Sequence, residues 1–317
     1  MNLQKIPIGI SACLLGEEVR YNGGHKLSRL CANKLSDYFD YRSICPEVGI
    51  GMGIPRKPIR LLGNADSPRA VGVEDASVDV TDQLQAFARE TLPTIQDICG
   101  YIFIKGSPSC GLFNVKVYRR DNPTPLNEGR GIYARAITDA NPMLPVEEAG
   151  RLTDPVLREN FIARVFAYSR WQKLKAQGLT AAAIIEFHSA YKYSLMAHAP
   201  QTYTELGRML ADAGRHEPEE LGERYFSSLM TALSSKANRK SNTNVLMHLQ
   251  GYLKKDLQPQ EKAKLAEVIE QYRKGIVPLV VPVTLLQHHF NNHPNEYISR
   301  QAFFDPYPPE LSLRNAI

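Results

Sequence analysis

Apolar and polar positions follow two different rhythms along this chain. In the front half, short apolar runs at residues 6–10, 41–44 and 101–104 alternate with stretches whose apolar residues recur every three or four positions. The runs predict strands, and the periodic stretches predict helices near residues 26–39 and 81–98. Strands and helices in alternation define an α/β domain with a mostly parallel, Rossmann-like sheet.

The rhythm of the back half is helical almost throughout. Leu157, Phe161, Val165, Tyr168 and Trp171 lay a single apolar stripe along one helix. Further helices are predicted near residues 180–198, 218–235, 242–255, 259–274 and 284–292. Between the two textures Pro142, Pro145 and Gly150 interrupt the pattern, and Asp154 followed by Pro155 has the form of a helix N-cap with proline in the first turn. The expected organisation is an α/β domain over residues 1–150 and an all-α domain over residues 151–317. A chain of 317 residues with 43% apolar content has material for two cores.

Composition narrows the setting. No stretch approaches the roughly 18 to 20 apolar residues of a membrane span, and residues 1–10 lack a basic leader and a cleavage site, so a cytoplasmic protein without membrane contact is expected. The five cysteines, Cys13, Cys31, Cys45, Cys99 and Cys110, are an odd set that argues for free thiols and not for a disulfide framework. All precede residue 111, which confines any metal chemistry to the front half. Charge divides in the opposite sense. Residues 1–150 carry 17 Lys and Arg against 17 Asp and Glu, whereas residues 151–317 carry 21 against 16, so the whole excess of +5 belongs to the helical half. That balance suits a polyanionic partner and suits ordinary solubility equally.

Three strings carry the candidate chemistry: SACLLGEEVRYNGG at residues 11–24, CPEVGIGMGIPR at 45–56 and KGSPSCG at 105–111. Each places a cysteine shortly after a predicted strand, at the sheet edge where α/β folds bind ligands. Glycine, proline and small polar neighbours build tight loops with exposed backbone N–H groups. Thiolates are soft ligands that favour iron–sulfur clusters, zinc or copper(I), and three of them leave one position open. The spacing alone equally allows small buried hydrophobes, because there is no Cys-x-x-Cys pair. Cys31 and Cys99, outside any glycine-containing string, are read as packing residues.

Other chemistries fit less well. His25 is the sole histidine before residue 188, and nothing marks it as the partner of a cysteine nucleophile. Zinc-dependent base deaminases carry a P-C-x-x-C pair that KGSPSCG lacks. The glycines at 49, 51 and 53 do not match G-x-G-x-x-G, and no Walker lysine follows them.

Taken together in this order, the three strings resemble the thiouracil desulfidase family, also catalogued as domain of unknown function 523, over roughly the first 150 residues. The helical half resembles domain of unknown function 1722, and the fusion is similar to enzymes that remove sulfur from 4-thiouridine in tRNA. The resemblance implies that Cys13, Cys45 and Cys110 hold a 4Fe–4S cluster by three irons, leaving the fourth without a protein ligand. It also implies catalytic roles for Glu47 and Ser107. A carboxylate can deprotonate a water attacking the ring carbon, the open iron can bind the thiocarbonyl sulfur, and a hydroxyl can orient the water or the base. Without the resemblance, Glu47 and Ser107 would be ordinary turn residues. Arg20, Tyr21 and Asn22 either contact substrate or fix the first loop.

In the helical half, Lys236, Arg239, Lys240, Lys254 and Lys255 form the densest basic stretch, with Tyr252 as a possible stacking ring. They suit RNA phosphates or a solvated helix face about equally. His288, His289 and His293 lack an acidic companion before Glu296 and are read as structural. The expected activity is therefore hydrolytic desulfuration of a thiolated pyrimidine, with tRNA as partner. The rivals are the same chemistry on free thiouracil or its nucleoside, and a non-catalytic iron–sulfur sensor or RNA-binding adaptor.

Overall fold

The computed structural model describes residues 4–119 and 124–315. The chain divides into two compact units, Met1–Thr153 and Asp154–Ile317.

The first unit is built on a four-stranded sheet. Strand β1 (Ile6–Ser11) pairs with β2 (Phe39–Ile44), and a short helix α1 (Pro46–Gly49) follows β2 immediately. Next come β3 (Ile59–Leu62), β4 (Arg69–Gly72), helix α2 (Thr81–Thr91), β5 (Tyr101–Phe103), β6 (Val115–Tyr118), β7 (Leu126–Gly129), helix α3 (Ile132–Ala140) and β8 (Val146–Glu148). The main sheet has the order β2-β1-β5-β8 and every pairing in it is parallel. The expected mostly parallel α/β sheet is therefore present. Ile8, Ile10, Tyr101, Ile102 and Phe103 are all fully buried, as a parallel sheet covered on both faces requires. Gly9 is needed here, because a Cβ on it would lie 2.2 Å from the Tyr101 ring packed across β1.

The order places β2 on one side of β1 and β5 on the other. The chain therefore reverses direction across the sheet between β1 and β5, and such a switch point opens a crevice at the carboxyl ends of the strands. Six parallel pairs run from Ile6 against Phe39 to Ser11 against Ile44, so the segments leaving β1 and β2 emerge side by side at that edge.

A second sheet, order β4-β3-β6-β7, was not anticipated from the sequence. Its strands have four residues each and two of its three pairings are antiparallel. Ile59, Leu61, Ala70, Val115 and Val117 pack there with Leu84 and Ile132.

Two helix expectations need correction. Only Leu30–Leu35 of the predicted 26–39 helix is helical, as a single π-type turn. Lys26 N and Ser28 N donate instead to Cys13 O and Leu14 O, which ties this segment to the Cys13 loop, and Phe39 already begins β2. The 81–98 helix ends at Thr91 and continues as a 3-10 turn over Leu92–Ile95, because Pro93 has no N–H to extend the ladder.

The second unit is all helical, as expected. It comprises α4 (Pro155–Ala176), α5 (Ala181–His198), α6 (Pro200–Ala211), α7 (Pro218–Ser234), α8 (Arg239–Tyr252), α9 (Pro259–Arg273), α10 (Val280–Asn292) and α11 (Glu296–Ser299). Asp154 caps α4 by accepting from the N–H groups of Val156 and Leu157. Helix α6 and the short α11 were not anticipated from the sequence. Trp171 stacks on Phe226 with ring centroids 5.0 Å apart, and Leu246, Leu249, Leu265 and Leu286 are fully buried in the core. No helix of the described residues is long and apolar enough to cross a membrane.

Candidate active site

The crevice at the β1/β5 switch point is a cavity of about 290 Å³. Cys13, Cys45 and Cys110 all line it, together with Glu47, Ser107 and Arg56. Cys13 sits in the 3-10 turn that follows β1, Cys45 directly after β2, and Cys110 in the loop after β5. The three sequence strings are therefore the three loops at one sheet edge. Cys31 and Cys99 lie outside this cavity and are buried in the packing.

Burial pushes all three site thiols up. Cys13 is raised to about 11 by loss of water and by neighbouring Cys45. Cys45 is raised mainly by burial, and Cys110 lies well above the usual thiol range through burial and the proximity of Cys45, Glu47 and Cys13. Cys45 thus raises both Cys13 and Cys110 from within the same cavity, and converting the three thiols to thiolates calls for compensating positive charge.

Glu47, in α1, is gripped at both oxygens. Arg56 donates through Nε at 2.8 Å to Oε2, and its terminal nitrogen forms an ion pair with the same oxygen at 2.7 Å. Ser109 Oγ donates to Oε1 at 2.8 Å. Arg56 is itself nearly buried, its side chain 5% exposed, and also donates to Val19 O and Gly53 O. It thus ties the loop after Cys13 to the loop after Cys45.

Ser107 plays a different part at the level of hydrogen bonding. Its Oγ accepts from Ser109 N at 3.2 Å and Cys110 N at 3.0 Å, while its carbonyl accepts from Gly111 N. This folds the Cys110 loop into a tight turn and leaves the hydroxyl proton available to the cavity. Behind the turn, Ile132 N and Ala134 N at the start of α3 donate to Pro108 O and Ser109 O. Buried Glu148 Oε1 accepts from Leu112 N and Phe113 N, both at 3.2 Å. Sequence reasoning missed Arg56, Ser109 and Glu148. Arg56 and Ser109 lay inside the quoted strings, yet nothing local marked them.

Arg20 and Tyr21 also line the cavity, with the guanidinium 5.6 Å from the centre of the Tyr21 ring. Asn22 does not line it; its Oδ1 accepts from Gly24 N and fixes the loop.

In the second unit the basic residues do not form one patch. Arg239 and Lys240 begin α8, whereas Lys254 and Lys255 follow its end, a separation of about 20 Å at 1.5 Å per residue. Arg239 lies over the Tyr272 ring and donates to Tyr272 O, so it is partly spent on packing. Lys236, Lys240, Lys254 and Lys255 are exposed. Tyr252 stacks with Tyr297 at 6.1 Å and is 39% exposed. His289 is buried and His288 interacts with Asn292. Among the described residues no three His, Cys, Asp or Glu side chains are placed to hold one metal ion.

A sheet-edge crevice lined by three thiols and a clamped carboxylate defines an α/β domain with a thiol-lined ligand crevice. Residues 8–149 match the family model described as 2-thiouracil desulfurase, and residues 192–308 match a protein of unknown function, DUF1722. The chain belongs to the 2-thiouracil desulfurase family, in fusion with a DUF1722 domain. YbgA of Escherichia coli (strain K12), an uncharacterized protein, is 34% identical over 161 residues, covering 50% of this chain and 94% of the relative. YbbK of Bacillus subtilis (strain 168), also uncharacterized, is 34% identical over 108 residues, covering 32% of this chain and 71% of the relative. A solved structure of a 4Fe–4S-dependent thiouracil desulfidase, TudS, shares 28% identity with a TM-score of 0.38, over 47% of this chain and 95% of that one.

Proposed function

We propose that this protein is a thiopyrimidine desulfidase whose Cys13, Cys45 and Cys110 hold a 4Fe–4S cluster, and whose substrate is 4-thiouridine in tRNA. The observation that carries the reading is the meeting of buried Cys13 and Cys110, half-buried Cys45 and clamped Glu47 in one cavity, in a chain of the 2-thiouracil desulfurase family. The donor set fits the cluster. Thiolates are its usual ligands, a cubane offers each a separate iron, and its charge offsets the burial that raises these thiols.

When bound, the cluster supplies one iron free of protein ligands, a Lewis acid for the thiocarbonyl sulfur. The protein's own groups then handle water and protons. Arg56 and Ser109 fix Glu47 so that its carboxylate can take a proton from a water attacking the ring carbon. Ser107, whose oxygen already accepts two backbone N–H groups, has its proton to donate to that water or to the pyrimidine. Water adds its oxygen to the carbon, sulfur leaves as sulfide, and no external electrons are required.

The RNA half of the reading rests on the basic excess of residues 151–317 and on exposed Lys254 and Lys255, which follow exposed Tyr252 at the end of α8. The test is anaerobic purification with iron, sulfide and zinc assays, followed by sulfide release from thiolated tRNA and from free thiouracil. A brown iron protein that releases sulfide from tRNA supports the whole reading. Release from the free base alone would remove the tRNA assignment, and an iron-loaded protein inert on both substrates would remove the activity.

A further inference from the structure

The thiol cavity grades from a buried floor to an open mouth. Ser11, Cys13 and Cys110 are 2%, 7% and 5% exposed, whereas Tyr21 is 43% exposed, Arg20 is half-buried and Lys105 is exposed, and all six line the same crevice. Its charged lining consists of Arg20, Arg56, Lys105 and Glu47. Glu47 is already satisfied at both oxygens by Arg56 and Ser109. Arg20 and Lys105 have no ion pair and no side-chain hydrogen bond among the described residues, and the Arg20 guanidinium lies over the Tyr21 ring. The carboxylates nearest to Arg20 in sequence point elsewhere in function: Glu17 Oε1 accepts from Ser43 Oγ, and neither Glu17 nor exposed Glu18 lines the crevice.

Both cations stand on loops whose backbones are fixed without a ligand. Arg20 N donates to Gly24 O at 3.1 Å and Gly23 N donates to Arg20 O at 2.9 Å, which closes residues 20–24 into a turn with Gly23 in the left-handed region at φ 73°. Arg56 N donates to Tyr21 O at 2.8 Å and ties that turn to the loop after Cys45. Lys105 opens the KGSPSCG string, and Gly106, at φ 72°, turns the chain between Lys105 and Ser107. The mouth groups are thus rooted on the same loops that carry Cys13 and Ser107.

Size decides which part of a substrate these groups meet. At roughly 10–15 Å³ for each water-sized atom, a crevice of about 290 Å³ takes about 20 to 30 such atoms. A cubane of about eight atoms and a pyrimidine base of about eight fill most of that space, so the ribose and phosphate of a nucleotide are left at the mouth. A guanidinium fork matches phosphate oxygens by paired hydrogen bonds, a lysine adds a point charge, and an exposed tyrosine ring offers a face to ribose or to a neighbouring base. We propose that Arg20 and Lys105, with Tyr21 beside them, grip the phosphate of a nucleotide whose base reaches into the thiol cavity, and so select nucleotides over free bases and nucleosides. The phosphate belongs either to an RNA backbone or to a free mononucleotide. That the base is thiolated rests on the desulfidase reading above; the grip on phosphate is testable without it.

The experiment is anaerobic calorimetric titration of the iron-loaded, full-length protein with uridine 5′-monophosphate and with uridine, on the parent, Arg20→Gln, Lys105→Ala and the double variant. The parent is expected to bind the monophosphate about tenfold or more tighter than the nucleoside, and the double variant to bring that ratio close to one. Lys105→Ala, at an exposed position, should lose part of the preference and keeps the test valid if Arg20→Gln misfolds. A parent that binds neither ligand or both equally, or a parental ratio retained in every variant, would overturn the proposal. Iron content is measured alongside, because an Arg20 that serves only to offset cluster charge would lower iron loading and weaken both ligands alike, which also overturns it. In a second arm, binding of thiolated tRNA is followed against salt. A log–log slope shallower by about two in the double variant assigns the grip to RNA backbone, and an unchanged slope with the monophosphate preference lost assigns it to free nucleotides. Sulfide release from 4-thiouridine 5′-monophosphate and from thiolated tRNA separates the two readings: a parent that prefers the monophosphate yet releases no sulfide loses the desulfidase assignment and keeps the phosphate grip.

Discussion

Ser109 Oγ lies 2.8 Å from Glu47 Oε1, although 62 residues separate the two in sequence. Through this bond the loop that carries Cys110 holds the carboxylate standing two residues after Cys45. The thiol cavity and the proposed acid–base group are thus joined by the same contact, with Arg56 closing the opposite side.

Removing that contact should loosen the proposed base without disturbing the proposed cluster ligands. Ser109→Ala should keep the iron content of the parent and lower kcat about tenfold to a hundredfold, the range set by about 1.5–3 kcal/mol for a hydrogen bond to a charged group. Iron assay and single-turnover sulfide release measure both. Unchanged kcat would show that Glu47 needs no support from this loop.

Arg56 carries more weight. Arg56→Met leaves Glu47 without its ion pair in a site where the carboxylate side chain is only 14% exposed. A loss of about 2 kcal/mol or more is expected, below the full cost of breaking a wholly buried pair because Glu47 keeps some water. Urea denaturation of the metal-free protein measures it, and Arg56→Met combined with Glu47→Gln should recover much of the loss. Absence of recovery would show that the Arg56 bonds to Val19 O and Gly53 O matter more than the charge pair.

The placement of the three cysteines was legible in the sequence because each follows its strand within a few residues, so the strand order alone brings them to one edge. Arg56 and Ser109 were not legible. Their roles depend on pairing between loops that are distant along the chain, and arginine and serine are common in turns for unrelated reasons. The second sheet escaped for a similar cause: its strands are four residues long, β3 is flanked by Pro58 and Gly63, and all are too short for a clear period. Helix α6 begins at Pro200 directly after the end of α5, and a proline just past a helix end fits a stop as well as a first-turn residue. The five basic residues looked like one cluster in sequence, but the length of α8 separates its two ends.

Gly131 tests how tightly the Cys110 loop must be held. A Cβ there would lie 2.5 Å from the carbonyl carbon and oxygen of Ser109 and 2.8 Å from Cys110 N, all backbone atoms that cannot rotate away. Gly131→Ala should therefore displace the loop, costing roughly 1–3 kcal/mol of stability as overpacking does. Because the displaced residues include Cys110, iron retention should fall with it. Normal iron content at reduced thermal stability would separate the loop's packing role from ligand placement.

The helical unit should weaken in mild acid because of its buried histidines. Burial lowers His188, His198 and His289 below the ordinary 6.5, so the folded chain leaves them neutral where the unfolded chain would take up protons. The unfolded state then binds more protons as pH falls below about 6.5, and stability present above that value is lost on the acid side. Glu270, ion-paired with Arg273, is held down to about 2 and stays charged across this window. His188 offers the cleanest test. Its Nδ1 is buried without a partner, and its ring stacks on Tyr203 at 6.0 Å and meets Tyr225 edge-on at 5.8 Å. His188→Phe keeps those ring contacts and removes both the titrating nitrogen and the unsatisfied one. The parent should lose a few degrees of melting temperature between pH 7.5 and 5.5, a small loss on the scale of a domain this size. The variant should lose less and should melt above the parent at pH 5.5. Equal pH slopes in the two proteins would move the acid sensitivity to His198 or His289.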